Sequence, residues 1–461
     1  MKRFLHIGIL LSLVLILTAG CSRQLQKAPV VVETPPPSLD QSRAMDHFIR
    51  GVVLDQQGEI TQAISEYRRA LKYDSTAAPI YLALAEDYLA LKLHEDAILQ
   101  LQAALKMDST NVQVMEFLAE LMMQTGQFDE AMVLTNRLIQ QVPQEARYQR
   151  NLAAIYLRLE RPASAIIQYE DILKADPNDR ETLGQLSSLY IALRDYQNAL
   201  DTSMRLYALD STDDRINFTL ASLYAELKRP AEAEKYFDRA VELNPDDPRY
   251  FSNWAYLYID QRNYPKAIDV LQQGTLHHPR SADMWSLLGL AYQRAGQDSS
   301  ALKALDYALE LDATQLGAYI NLGLIYDQRG EFEKALEVYN QALAIAPDDA
   351  LLLNNYAYLL AQQKVRLDEA LAKAQRALEQ SPDNPSYLDT MGWVHFALGN
   401  YLQARDFLIQ ALTIDAANPE ILEHLGDAYN ALGDYQQART YWLRALEFKP
   451  DNLKIREKLA Q

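Results

Sequence analysis

The feature that most constrains the fold is a 34-residue repeat that begins at Ala44 and continues almost to the end of the 461-residue chain. The twentieth position of the repeat is alanine in all twelve units, and the eighth is always alanine, glycine or serine. Two helices approach closely only where the facing side chains are small, since overpacking costs about 1–3 kcal/mol. The period therefore predicts twelve pairs of amphipathic helices, each helix about 14 residues long.

The register of the repeat assigns every unit its bounds. The twelve units are 44–77, 78–111, 112–145, 146–179, 180–213, 214–247, 248–281, 282–315, 316–349, 350–384, 385–418 and 419–452. The tenth unit carries one extra residue in its internal turn, near Lys364 to Leu367. Segment 453–461 is predicted to be a capping helix, because an open stack of repeats needs a polar end.

Glycine and proline mark the ends of the predicted helices. Six units have a glycine at the internal turn, where a left-handed residue ends a helix: Gly58, Gly126, Gly296, Gly330, Gly399 and Gly433. Asp247-Pro248, Asn384-Pro385 and Asn418-Pro419 have the form of an N-cap followed by proline at the first helical position.

The pattern resembles the tetratricopeptide repeat across residues 44–452. Clear examples are AYINLGLIYDQRGEFEKALEVYNQALAIAP (318–347) and EILEHLGDAYNALGDYQQARTYWLRALEFKP (420–450). The resemblance implies an all-α fold, a right-handed superhelical α-solenoid of twelve helical hairpins. It also implies a binding function, in which the first helices of the hairpins line a concave groove that takes extended peptides or helices from partner proteins.

The N-terminus has the form of a secretory signal. Lys2 and Arg3 precede an apolar run from Ile7 to Leu17, and small residues follow. The run is too short to span a bilayer, which takes about 20 residues. The chain's single cysteine, Cys21, comes directly after the predicted cleavage point.

The segment LTAGC that ends at Cys21 resembles the lipobox of bacterial lipoproteins. This resemblance implies a signal peptide at 1–20, lipidation of Cys21, and a proline-marked tether within 21–43. Ser22 after the cysteine favours the outer membrane by the same resemblance, with the protein facing the periplasm. The alternative is an ordinary secretory signal in which the cysteine is incidental.

The net charge restricts the classes of partner. The whole chain carries −18, and removal of Lys2 and Arg3 with the signal leaves 42 basic against 62 acidic residues. Nucleic acid binding needs a basic surface, so nucleic acid is excluded as a partner. Membrane association is expected to depend on the lipid at Cys21.

No catalytic motif is evident in the sequence. We find no glycine-rich phosphate loop, paired-histidine zinc motif or nucleophile elbow. The adjacent His277 and His278 lack further ligands nearby, so no metal site and no cofactor are predicted. We expect the protein not to be an enzyme, because the non-repeat sequence is too short for a catalytic domain.

Candidate groove residues follow from the resemblance, which implies that positions 2, 5, 9, 12 and 13 of each unit face the groove. The preferred patch combines the tenth and eleventh units: Asn354, Tyr358, Gln362, Asp389, Trp393 and Phe396. Phe48, Phe218 and Tyr256 are further aromatic candidates. The alternative is that Trp393 and Phe396 pack against the twelfth unit.

A basic face in the fourth unit is the second candidate. Arg147, Arg150 and Arg158 share one face of its first helix and would receive an acidic peptide or an anionic glycan. The alternative is ion pairing with glutamates of the neighbouring units, Glu116, Glu120 and Glu181. No unit has the position-5 lysine and position-9 asparagine of the carboxylate clamp found in chaperone-binding members of the family.

The sequence therefore predicts a lipid-anchored scaffold of the cell envelope that binds partner proteins in its groove. By resemblance to bacterial lipoproteins of this build, it would serve an outer-membrane assembly, export or pilus-type machine. The alternative is a periplasmic adaptor that binds polysaccharide or regulates a cell-wall enzyme. The sequence does not determine the oligomeric state.

Overall fold

The computed structural model describes residues 38–460. These residues form twenty-five α-helices and no strands, which confirms the predicted all-α class. No helix among them is long and apolar enough to cross a membrane. The predicted signal peptide, Cys21 and the tether up to residue 37 lie outside the described residues.

The helices belong to two compact units, and the division falls between Glu160 and Arg161. The first unit contains α1 (Leu39–Gln56), α2 (Ile60–Tyr73), α3 (Ala78–Ala90), α4 (His94–Met107), α5 (Val112–Gln124), α6 (Phe128–Gln141) and α7 (Ala146–Arg158). Within it, α1 to α6 form three consecutive helical hairpins.

The second unit is the longer stack. It contains α8 (Pro162–Ala175), α9 (Arg180–Ala192), α10 (Tyr196–Leu209), α11 (Asp214–Glu226), α12 (Pro230–Leu243), α13 (Pro248–Asp260), α14 (Tyr264–His277), α15 (Ala282–Arg294), α16 (Asp298–Leu311), α17 (Leu316–Gln328), α18 (Phe332–Ile345), α19 (Ala350–Gln363), α20 (Leu367–Gln380), α21 (Pro385–Ala397), α22 (Tyr401–Ile414), α23 (Pro419–Ala431), α24 (Tyr435–Phe448) and α25 (Leu453–Ala460). Helices α9 to α24 form eight hairpins, and each hairpin packs on the next.

Small residues hold the two helices of each hairpin together, as the period predicts. All twelve alanines at position 20 are fully buried. The residue at position 8 faces the side chain sixteen residues later, on the second helix. A Cβ on Gly289, for example, would come within 2.5 Å of Leu305. In the fifth unit the residue at position 8 and the residue sixteen positions later are both serine, and the hydroxyl oxygens of Ser187 and Ser203 lie 2.7 Å apart.

The internal turns use one backbone conformation throughout. The six predicted turn glycines have φ between +71° and +82°. Polar residues take the same left-handed conformation at the equivalent position of other units: Lys92, Glu160, Arg194, Lys228, Arg262 and Lys364. The left-handed backbone conformation costs a residue other than glycine about 1–2 kcal/mol. Packing within the stack must therefore stabilise the turn in the units that lack glycine.

Side-chain caps fix where the helices begin. Asn384 accepts hydrogen bonds from the backbone N–H groups of Ser386 and Tyr387, as the Asn-Pro pattern predicts. At the N-terminus the tether was predicted to extend to residue 43, but α1 begins at Leu39. The reason is a capping box, because Ser38 accepts from the Gln41 N–H and the Gln41 side chain accepts from the Ser38 N–H.

Candidate functional site

A buried acid–base pair lies between the first helices of the last two repeats. Asp389 is on α21 and His424 is on α23, and their Oδ1 and Nδ1 atoms are 2.9 Å apart. Burial opposes the charged imidazolium, but the adjacent carboxylate outweighs it and the pKa of His424 is raised. The pair therefore joins two neighbouring hairpins by a charge-assisted hydrogen bond.

Aromatic rings surround this pair. The Trp393 ring stacks on His424 with a centroid distance of 4.1 Å and on Phe396 at 4.8 Å. The Tyr358 ring lies 6.1 Å from His424, and its hydroxyl donates a hydrogen bond of 2.7 Å to Glu420 Oε1. Burial, and after it the Glu420 carboxylate, raises the pKa of Tyr358, so the hydroxyl stays a donor at neutral pH. We call Tyr358, Asp389, Trp393, Glu420 and His424 the Trp393 cluster.

The structure brings together four of the six residues of the preferred sequence patch. Tyr358, Asp389, Trp393 and Phe396 are at the Trp393 cluster or in contact with it. Asn354 is buried one helical turn before Tyr358, and its Oδ1 lacks a hydrogen-bond partner among the described residues. Gln362 is exposed one turn after Tyr358.

The sequence offered the alternative that Trp393 packs against the twelfth repeat. The structure shows such a contact, since the Trp393 ring packs on His424 of that repeat. Trp393 and Phe396 are both half-buried rather than fully buried, so part of each ring remains accessible. Packing against the twelfth repeat and exposure to a ligand are therefore compatible here.

Two members of the Trp393 cluster were missed by the sequence analysis, Glu420 and His424. They are four residues apart on α23 and share one face of the helix. This four-residue spacing is the sequence feature that could have indicated a shared site. It does so only when combined with the structural finding that Asp389, 35 residues before His424, contacts the histidine.

The surroundings of the Trp393 cluster are acidic. The pKa of Asp327 on α17 is raised by burial and by the carboxylate of Glu420. Glu423 and Asp427 continue the acidic surface along α23, where Lys458 of α25 pairs with both at 2.8 and 2.7 Å. The face formed by α17, α19, α21 and α23 therefore favours a cationic ligand.

A cavity of about 630 Å³ adjoins this face at the C-terminal end of the stack. Phe396, Asp427, Tyr435, Arg439 and Trp442 are among its lining residues. Phe396 thus belongs both to the ring stack on Trp393 and to the wall of the cavity. The cavity provides room beside the cluster for a bulky side chain.

The other aromatic candidates differ in accessibility. Phe218 is half-buried, with its ring 4.8 Å from Tyr250 and 6.0 Å from Phe237, so its main role is packing between repeats. Phe48 packs against the Tyr67 ring at 5.7 Å. Tyr256 is 51% exposed, which leaves the seventh repeat as a second possible contact point.

The predicted basic face is largely occupied within the protein. Arg147 forms an ion pair with Glu116, as in the alternative that the sequence offered, and a second ion pair with Glu145. The Arg158 guanidinium lies 5.4 Å from the centre of the Phe128 ring. Arg150 also interacts with another group of the protein. Because all three arginines already have partners within the protein, an acidic ligand would have to displace these contacts, which disfavours binding at this face.

One group of side chains on α21 and α23 offers atoms of the types that bind metal ions. Asp389, Glu420 and His424 offer ligand atoms that all lie within 4.8 Å of one another. The two histidines considered in the sequence are used otherwise. His278 Nε2 is 2.9 Å from the Pro245 carbonyl oxygen, and His277 stacks on Phe251.

The sequence matches family models of the tetratricopeptide repeat over much of its length. The matched residues are 47–76, 88–155, 146–179, 190–252, 252–316, 317–349 and 395–461. Together they cover more than half of the chain.

Similar proteins include two from Pseudomonas aeruginosa. The type IV pilus assembly protein PilF is 31% identical over 138 residues, which are 29% of this chain and 53% of PilF. A TPR repeat-containing protein is 28% identical over 116 residues, which are 25% of this chain and 20% of that protein. The matches thus span about half of one relative and a fifth of the other.

Among solved structures, the crystal structure of the APC/C hetero-tetramer Cut9-Hcn1 aligns with 91% of this chain and 96% of its own chain. The TM-score is 0.47 and the sequence identity is 14%. The tetratricopeptide repeat models, which together match more than half of the chain, establish its family. The chain belongs to the tetratricopeptide repeat family.

Proposed function

We propose that this protein is a lipid-anchored scaffold of the bacterial cell envelope that holds a basic segment of a partner protein against α17, α19, α21 and α23. The single observation that carries the proposal is the Trp393 cluster, where partly exposed aromatic rings lie beside carboxylates. Aromatic anchors with charged neighbours are typical of residues that dominate binding energy.

The charge of the face supports a basic partner. Asp327, Asp389 and Glu420 contribute carboxylates here, of which Asp389 is paired with His424 and Glu420 accepts from Tyr358. Lys458 is paired with Glu423 and Asp427. A partner lysine or arginine would gain both the carboxylates and a cation–π contact with Trp393 or Tyr358.

The envelope location and the machine are supported by two further findings. The N-terminal apolar run is followed by LTAGC, which ends at Cys21 and resembles a lipobox. PilF, to which part of the chain is similar, is by its name a type IV pilus assembly protein. We therefore propose a pilus-type or related outer-membrane assembly as the partner machine, facing the periplasm.

The test is affinity purification from detergent-solubilised envelopes after crosslinking in cells. We would compare the wild type with the double variant Tyr358→Ala, Trp393→Ala and with Leu402→Ala. Leu402 is the matched control. It is 57% exposed on α22, the second helix of the repeat that contains Trp393. Circular dichroism is measured on each variant to check that its helix content equals that of the wild type.

We expect one set of envelope proteins with the wild type and Leu402→Ala, and its loss with the double variant. Asp327→Asn, which removes one carboxylate and no ring, should reduce recovery and make it less sensitive to salt, because one electrostatic contact is lost. Recovery of the same proteins with the double variant would contradict the proposal that the partner binds at the Trp393 cluster. Recovery of polysaccharide without protein would favour the glycan-binding alternative.

A further inference from the structure

We propose that Asp389, Glu420 and His424 form a binding site for a divalent transition metal ion of the Zn²⁺ type. Their ligand atoms lie within 4.8 Å of one another, and Asp389 and His424 are buried. The inference does not depend on partner binding, although the ion would use Asp389 and Glu420, two of the carboxylates that the proposed function offers to a basic segment.

The backbone places the three donors around one point. Glu420 and His424 are separated by one turn of α23, and Asp389 projects from the adjacent first helix, α21. In tetrahedral zinc sites the metal–ligand distances are about 2.0–2.2 Å, so the ligand atoms are roughly 3.3–3.6 Å apart. The Asp389–His424 separation of 2.9 Å is slightly shorter than this. Glu420, the third donor, is exposed, and its carboxylate lies within 4.8 Å of the other two ligand atoms.

The donor set selects the type of metal. One imidazole nitrogen and two carboxylate oxygens suit Zn²⁺ and similar ions, whereas Ca²⁺ and Mg²⁺ prefer oxygen donors throughout. The two carboxylates balance the charge of a divalent ion. Three protein ligands leave one tetrahedral position for water or for a donor from a partner.

The groups around the donors hold them in place. Trp393 stacks on the His424 ring at an interplanar angle of 18°, which restricts its rotation. The Tyr358 hydroxyl donates to Glu420 at 2.7 Å and so orients that carboxylate. Metal sites depend on such outer contacts, whose removal typically weakens binding about 10–100-fold. The carboxyl group of Asp327 on α17 also interacts electrostatically with Glu420.

The test uses the full chain, treated with a chelator and then freed of it, without any partner. Co²⁺ is titrated in as a spectroscopic probe, and Zn²⁺ is then used to displace it. We expect one equivalent of Co²⁺ to give ligand-field absorption typical of tetrahedral coordination, and Zn²⁺ to abolish it. Glu420→Gln and His424→Gln should weaken binding about 100-fold or more, and Tyr358→Phe about 10-fold.

Two controls separate this site from other donors in the chain. His94→Gln removes an exposed histidine of the first unit and should leave binding unchanged. Cys21→Ser removes the one thiol and should also have no effect. Glu420→Gln keeps the buried Asp389–His424 pair, so it tests the site even if His424→Gln fails to fold.

The proposal is overturned if the wild type shows no saturable binding in the micromolar range. It is equally overturned if Glu420→Gln binds the ion as tightly as the wild type. The scaffold proposal is unaffected by either result, because it is tested by recovery of partner proteins with the ring variants.

Discussion

Replacing Gly426 by alanine tests whether close helix contact at position 8 stabilises each hairpin. Gly426 on α23 faces the buried ring of Trp442 on α24. A Cβ at this position would overlap Cδ1 and Nε1 of the ring and lie 3.0 Å from Cγ. The ring is held in place, because its Nε1–H donates a hydrogen bond of 3.0 Å to Asp427 and Lys458 Nζ lies 5.9 Å from its centre.

The magnitude follows from two opposing effects. Alanine in place of a helical glycine gains about 1 kcal/mol of helix propensity. Overpacking costs about 3 kcal/mol when the neighbour cannot move aside. We therefore predict that Gly426→Ala lowers the free energy of unfolding of the last repeat by about 2 kcal/mol. Gly184→Ala is the control, since a Cβ there meets nothing within 4 Å, and it should stabilise by about 1 kcal/mol.

Unfolding in urea, followed by circular dichroism, and hydrogen exchange of the α24 amides measure the effect. Both are needed because stacked repeats open partly as well as globally. Adding Trp442→Leu to Gly426→Ala should recover about 2 kcal/mol of stability as a coupling energy between the two positions. The second repeat already has alanine and leucine at these positions, Ala85 and Leu101, and both are buried. A Gly426→Ala protein as stable as the wild type would refute the reasoning.

Three further predictions concern other parts of the chain. Burial, Asp55 and Glu86 raise the pKa of Asp87 to about 7. A raised carboxyl pKa gives stability that is present below its ordinary value near 4 and is lost as the pH rises through about 7. Urea unfolding of the first unit should therefore show a loss on the order of 4 kcal/mol over this range that is absent in Asp87→Asn. Ile455 is fully buried beneath the C-terminal end, so Ile455→Ala should cost about 2–4 kcal/mol and speed hydrogen exchange in α25. Cys21→Ser should move the protein from the membrane to the soluble envelope fraction, and unchanged partition would contradict lipid anchoring.

The hairpin architecture was predictable because it depends on residues that recur at fixed positions. The buried alanines at position 20 occur in every unit and the turn glycines in six of the twelve, and the structure gives them the expected burial and φ values. The left-handed turns at Lys92 and Arg262 were not predictable from their own residue types. Neighbouring hairpins impose that conformation against local preference.

The candidate site was predictable only in part. Tyr358, Asp389 and Trp393 were found because their repeat positions indicate the groove. Glu420 and His424 were missed because their role depends on contacts with other repeats, which no local pattern shows. Phe218 was assigned to the groove by position, but its ring is half-buried between Tyr250 and Phe237.

The most direct measurement of the central claim is site-specific photocrosslinking in living cells. A photoreactive residue is placed at Gln362, which is exposed one turn from Tyr358, and in a second strain at Leu402 on the second helix of the next repeat. The account predicts a discrete crosslinked envelope protein from position 362, none from 402, and loss of the 362 product with Trp393→Ala. Equal crosslinking from both positions, or a 362 product that persists in Trp393→Ala, would contradict it.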